Sequence, residues 1–215
     1  MPAADLDRCV AQLTNPKGVP LTPIDLNGPL SGAKMKGFPI LHRLDSLDAG
    51  PRPGLAAEWR ASVPELHRSS IDRAAITSVS WLPIEYYFHG VAFAAKALHG
   101  EGVRHAMKVG YHTANLDIGR FFRMVLAFAS PATILSLSGR FWKGYFDVSK
   151  LSVKSTGTNS CSAEVTEWPL RDEVSMHEMA GSLVAWMEAS RAKDVRMTRF
   201  ELLAPGHFAL DCTWK

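Results

Sequence analysis

Long apolar runs are missing from this chain: every apolar stretch is interrupted by Arg, His or Gly well short of the roughly 18 residues that a membrane span requires. Cysteine is scarce. Cys9, Cys161 and Cys212 are widely separated and form no Cys-x-x-Cys pair, which excludes a zinc knuckle and a dithiol redox centre. An odd number of dispersed thiols reads as reduced cysteine in a reducing compartment. Asp5 and Asp7 precede any apolar run, and no basic segment leads into one, so a secretory signal is not expected and the reading is cytoplasmic. Charge of one sign is also lacking. The 24 Lys and Arg against 21 Asp and Glu leave +3, too small a surplus to indicate nucleic-acid binding. The 16 Gly and 13 Pro are not tandemly repeated, which excludes collagen-like and low-complexity classes.

Catalytic strings are absent too. There is no Gly-x-Ser-x-Gly elbow, no His-x-x-x-His or His-Glu-x-x-His zinc string, and no Lys-Ser or Lys-Thr after Gly139-Arg-Phe-Trp-Lys-Gly144 to make a phosphate loop. Glu85 with His89, Glu101 with His105, and Glu173 with His177 are i, i+4 pairs that put carboxylate and imidazole on one helix face. Such pairs are more often structural than functional, since a zinc site needs three or four converging ligands. Cys161 and Cys212 alternate with polar residues in the core direction and read as inert buried thiols.

What is present is a core and two grammars. The chain has 215 residues, 47% of them apolar, and a chain this long buries roughly 70% of the surface its unfolded form exposes. The first 54 residues carry Pro and Gly at intervals that break long elements. They are expected to form an irregular extension with a short helix near Leu6–Leu13 and a short strand within Lys34–Leu44. A helix over Leu55–Leu66 is ended or kinked by Pro64. After Trp81-Leu-Pro83, apolar residues recur at helical spacing from Ile84 to Leu98. Val103, Met107, Gly110, Ala114, Ile118, Phe121, Val125 and Phe128 then advance about 3.6 residues per step, predicting one long helix with a possible split at Gly119. Ser130-Pro131 is an N-cap and N1 pair that opens another helix. Beyond Gly144 the period becomes 2. Strands are predicted over Tyr145–Ser155 and through Cys161, Ala163 and Val165, with a turn at Gly157-Thr-Asn159. A helix over Val174–Arg191 and a hairpin about Pro205-Gly206 complete a β-β-α-β-β unit. In its last strand Phe208, Leu210, Cys212 and Trp214 face inward, and Ala209, Asp211 and Thr213 outward.

Several of these segments carry a resemblance. Ser80-Trp81-Leu82-Pro83 entering a helix, Gly110 to Arg120, Ser130-Pro131, Phe141-Trp142 to Tyr145, and Glu164 to Leu170 behind the hairpin resemble a paralogous family of uncharacterised proteins found mainly in myxobacteria. The likeness covers Trp81 to Lys215. More distantly, helices followed by β-β-α-β-β are similar to the group containing vinyl-reductase ligand-binding domains, haem nitric-oxide sensor domains and Bet-three trafficking subunits. That resemblance implies a helical layer on an antiparallel sheet, often a dimer, sometimes with an apolar pocket. It transfers no catalytic residue.

Charge placement adds one feature. Between Val103 and Lys154, Arg104, Lys108, Arg120, Arg123, Arg140, Lys143, Lys150 and Lys154 face only Asp117 and Asp147, a surplus of six on a background of minus three. A solvated helix face accounts for such a band, and so does a docking surface for an acidic partner or an anionic ligand. The expectation is therefore an α+β protein, with an extension over 1–54 and a single domain over 55–215. It is read as a non-enzymatic module that binds a ligand or dimerises. Candidate contact residues are Arg104, Lys108, His112, Arg123, Arg140, Trp142, Lys143 and Tyr145, with Tyr86, Tyr87 and Phe141 as further aromatic walls. No catalytic residue, metal site or cofactor is assigned. A homodimer, an acidic protein partner and a small apolar ligand are the expected partners, and nucleic acid is not. The alternative is a haem, metal or small-molecule sensor, or an enzyme using His89, His112 or Asp117 as acid or base, with His89, His105 and His112 the histidines considered for haem.

Overall fold

The computed structural model describes residues 24–100, 102–118, 130–170, 172–190 and 192–215. Strand β1 (Lys34–Lys36) pairs antiparallel with β2 (Trp81–Pro83), Met35 opposite Leu82. Helix α1 (Phe38–Asp48) follows at once, with a proline in its first turn. The strand expected over Lys34–Leu44 is therefore only three residues long. Ile40, Leu44 and Leu47 lie at i, i+4 and i+7 and are all buried, so helical spacing decides the segment. Residues 24–33 and 49–54 carry no helix or strand, but the segment is not detached from the fold. Leu26, Met35, Ile40 and Leu44 join the same core cluster as the helices and sheet downstream. The helix expected near Leu6–Leu13 lies outside the described residues.

Helix α2 (Leu55–Ser62) stops short of Pro64, as the proline requires, and a single turn α3 (Glu65–Arg68) runs into a 3-10 turn at Ser69–Ile71. Helix α4 (Ile84–His99) buries Ile84, Phe88, Val91 and Ala95 completely. Trp59 of α2 packs against its Gly90, where a Cβ would come within 2.5 Å of the indole ring. The indole N–H donates to Nδ1 of buried His89 at 3.1 Å. Helix α5 (His105–Ile118) follows, burying the Met107, Gly110, Ala114 and Ile118 positions of the long stripe. The remainder of that stripe, Phe121, Val125 and Phe128, and the split at Gly119 lie outside the described residues.

Helix α6 (Pro131–Tyr145) opens on Ser130, whose hydroxyl accepts from the Thr133 N–H at 3.1 Å. Ser130→Ala is expected to cost about 1 kcal/mol, the usual value of an N-cap, read as a shift in urea midpoint. The helix carries on through Tyr145, so the first strand of the sheet begins later than the sequence implied, at Lys150. Strands β3 (Lys150–Gly157) and β4 (Ser160–Thr166), helix α7 (Glu173–Ala189), and strands β5 (Arg196–Ala204) and β6 (His207–Thr213) give the β-β-α-β-β order. The sheet is antiparallel throughout, in the order β3-β4-β6-β5. Cys161, Ala163, Val165, Phe208, Leu210 and Cys212 all turn into the core. Ala209, expected outside, is buried as well, between its register partners Glu164 and Glu201.

The protein is thus an α+β fold, a helical layer on an antiparallel sheet. At its centre α5 and α7 touch backbone to backbone, Gly110 against Glu178 and Gly181 against Met107. Among the described residues no helix is long and apolar enough to cross a membrane.

Candidate ligand cavity

Side chains from four helices, α4 to α7, meet the inner face of the sheet without filling the space between them. A cavity of about 110 Å³ remains. The sheet supplies Leu151, Val153, Val165 and Leu210, and helix α6 supplies Ile134, Leu135, Phe141, Trp142 and Tyr145. Helix α7 adds Met179, Leu183, Trp186 and Met187, while Met35 and Pro39 come from the N-terminal segment. Positions 134, 138, 141, 142 and 145 of α6 share one face at steps of three and four, and that is why a single helix contributes so much of the wall. Phe141 stacks on Trp186 with ring centroids 5.5 Å apart.

Polar groups gather on this otherwise apolar wall: Asp117 from α5, Tyr87 from α4, Tyr145 from α6, and Glu178 and Ser182 from α7. The Tyr87 hydroxyl donates to Glu178 Oε1 at 2.6 Å, and the Ser182 hydroxyl reaches the same oxygen at 3.1 Å. Tyr145 faces Asp117, whose carboxylate also meets His42 Nδ1 from behind the wall. Arg43 lies behind it too, 1% exposed, giving Nη2 to Thr113 Oγ1 at 2.6 Å and resting over the Tyr87 ring.

Desolvation sets the protonation states. Burial pushes the Glu178 carboxyl up to about 7, against the pull of the Tyr87 hydrogen bond and the Arg43 charge. Burial also raises Asp117, while the His42 and Tyr145 hydrogen bonds hold it back. His42 is raised in turn, chiefly by its hydrogen bond to Asp117. Both tyrosines are held far above the ordinary phenol range, first by burial and then by the neighbouring carboxylates. The site is an apolar chamber with two carboxyl groups and no charged base on its described wall.

Of the eight residues expected from the sequence, Trp142 and Tyr145 line the cavity. Arg104, Lys108, His112, Arg140 and Lys143 do not, and Arg123 lies outside the described residues. Lys108 and His112 instead neighbour His99, which stacks on His105 at 6.2 Å. Arg140 and Lys143 are exposed on the far side of α6. Among the candidate acids and bases only Asp117 reaches the cavity. His89 is held against Trp59, and His112 is exposed. Glu178, Ser182, His42 and Arg43 were not singled out. Glu178 had a signal, because it occupies the buried stripe of Val174, Gly181 and Ala185, where a carboxyl has no reason to sit without a partner. Among the described residues no group of three or more His, Cys, Asp or Glu is arranged to hold a metal ion.

No protein-family model matches the chain, and no curated protein matches it. Among solved structures, the H-NOX protein of S. oneidensis in its Fe(II)NO ligation state aligns with a TM-score of 0.63 at 14% identity, covering 84% of this chain and 99% of that one. The unliganded Fe(II) H-NOX protein of K. algicida gives 0.61 at 10% identity, over 84% and 97%. A Cs H-NOX mutant carrying the unnatural residue 4-cyano-L-phenylalanine gives 0.60 at 14%, over 84% and 97%. At such identities the likeness is one of fold, and it matches the distant similarity to haem nitric-oxide sensor domains expected from the order of elements.

Proposed function

We propose that this protein is a small-molecule sensor module on an H-NOX-like fold, holding a compact ligand with an apolar body in the cavity between α5, α6, α7 and the sheet, without an iron porphyrin. The observation that carries this is the chamber itself, walled by apolar side chains from every layer of the fold yet left open at about 110 Å³. An engineered cavity of about 150 Å³ takes benzene, so a space of this size suits a single ring or a short alkyl chain. The fold likeness favours the sensor reading over the dimerising module. The solved neighbours are H-NOX structures, and one is described by its Fe(II)NO ligation.

The residues present do not fit the haem of those neighbours. All eight histidines are described and none lines the cavity, and neither does a described cysteine. Tyr87 and Tyr145 are the remaining oxygen ligands, but burial holds both as neutral phenols. Porphyrin propionates would meet Asp117 and Glu178 rather than a cation among the described lining residues. A macrocycle of four pyrrole rings also exceeds a single-ring space several-fold.

Thermal unfolding with and without saturating benzene tests the reading. Binding to the folded state alone is expected to raise Tm by several degrees, and Ala114→Leu, which fills the cavity, is expected to abolish that rise. An unchanged Tm in benzene, or a haem spectrum developing when haemin is added, would overturn it.

A further inference from the structure

Resting on that reading of the cavity, we propose that its ligand is a small primary amine, with its alkyl or ring body between Phe141, Tyr145 and Trp186 and its ammonium group on Glu178. The hydroxyl hydrogens of the wall are already committed. Tyr87 spends its O–H on Glu178, Tyr145 turns its own toward Asp117, and Ser182 shares its own between Glu178 Oε1 and the Gly110 carbonyl at 3.2 Å. What these oxygens have left is acceptor capacity, which a donor-rich head group completes, whereas an acceptor-only group finds a single donor there, the proton on Glu178 while that carboxyl is neutral. An ammonium group brings three donors and a charge.

Charge points the same way. The described lining holds two carboxyl groups and no Lys, Arg or His, so an anionic head would be buried without a counter-ion. The two cations behind the wall do not reach into it. His42 is paired with Asp117, and Arg43, which does not line the cavity, gives Nη2 to Thr113 and rests over the Tyr87 ring, its buried Nε without a partner. Glu178 is 2% exposed, and among the described residues no cation lies within ion-pair distance of it. Aromatic faces beside a carboxylate are a favourable surrounding for an alkylammonium ion. On binding, the protonated carboxyl releases its proton to solvent and becomes the counter-ion of the ammonium, so charge in the chamber stays balanced.

Calorimetry on the full chain at pH 7 with n-butylamine, 1-butanol and n-butyrate tests the inference. The amine is expected to bind at least tenfold more tightly than the alcohol, butyrate to give no detectable heat, and Glu178→Gln to bring the amine down to the level of the alcohol. Repeating the amine titration in two buffers of different ionisation heat reads the proton released by the unaltered protein, so the inference remains exposed even if the variant does not fold. Alcohol or butyrate binding as tightly as amine, or amine binding without proton release, would overturn the amine assignment and leave the cavity standing. Failure of all three compounds and of benzene would overturn both.

Discussion

Gly110→Ala and Gly181→Ala are each expected to destabilise the protein by about 3 kcal/mol or more, a large part of the roughly 5 to 15 kcal/mol that holds a domain of this kind folded. A Cβ on Gly110 would lie 2.0 Å from the Glu178 carbonyl oxygen, and one on Gly181 would lie 2.0 Å from that of Met107. In both cases the obstacle is helical backbone, which cannot rotate out of the way as a side chain does. Helices α5 and α7 must move apart instead. That strains the Ser182 bond to the Gly110 carbonyl and the Tyr111 bond to Glu188, 2.8 Å in the structure. It also separates the helix that carries Asp117 from the one that carries Glu178, so ligand binding is expected to fail even in molecules that remain folded. Gly144→Ala is the control. That glycine is exposed within α6 with nothing near its missing Cβ, and alanine there is expected to gain up to about 1 kcal/mol from helix propensity. Urea midpoints for the three variants check this, and equal midpoints would mean that the two helices do not meet at these glycines.

The contrast between Gly110 and Gly144 also shows how far the sequence could be read. Both sit at helical positions, and periodicity alone marked Gly110 as part of a stripe without saying that another backbone lies against it. Local order was legible where the period was clean. The alternation through Cys161, Ala163 and Val165, the Ser130-Pro131 start and the stop before Pro64 all rest on interactions within a few residues. The cavity rests on none of these. Tyr87 and Glu178 are 91 residues apart, and His42 and Asp117 are 75 apart, and nothing in local spacing couples such pairs. Trp142 and Tyr145 stand out in the sequence only as aromatic residues near a basic band, yet both turn into the chamber while Arg140 and Lys143 face away on the same helix. Charge pattern reports which side of a helix is wet. It does not report what the dry side encloses. Over Lys34–Leu44 the alternation of Lys34, Met35 and Lys36 gave a true strand, but the i, i+4, i+7 spacing that begins at Ile40 belongs to the next element.

Glu178 supplies the second large effect, a stability that falls as pH rises. In the folded protein its carboxyl titrates near 7 rather than near its ordinary 4.5, because burial disfavours the charged form. The folded state therefore holds this proton more tightly than the unfolded chain does. The stabilisation is fully present below pH 4.5 and is lost as pH rises through 7, a total of about 3 kcal/mol at roughly 1.4 kcal/mol per pH unit. Glu178→Gln keeps an oxygen to accept from Tyr87 and Ser182 but has no proton to lose. Denaturation at a series of pH values is thus expected to give variant and parent similar stability near pH 5, with the variant the more stable by up to about 3 kcal/mol at pH 8. His177 acts in the opposite direction. Burial lowers it to about 4 from 6.5, so its contribution is present above 6.5 and lost as pH falls towards 4. That term is common to both proteins and cancels in the difference. Parallel curves between pH 5 and 8 would mean that Glu178 titrates as an exposed carboxylate does, and a cavity with a wet carboxylate on its wall would have no use for a cationic ligand.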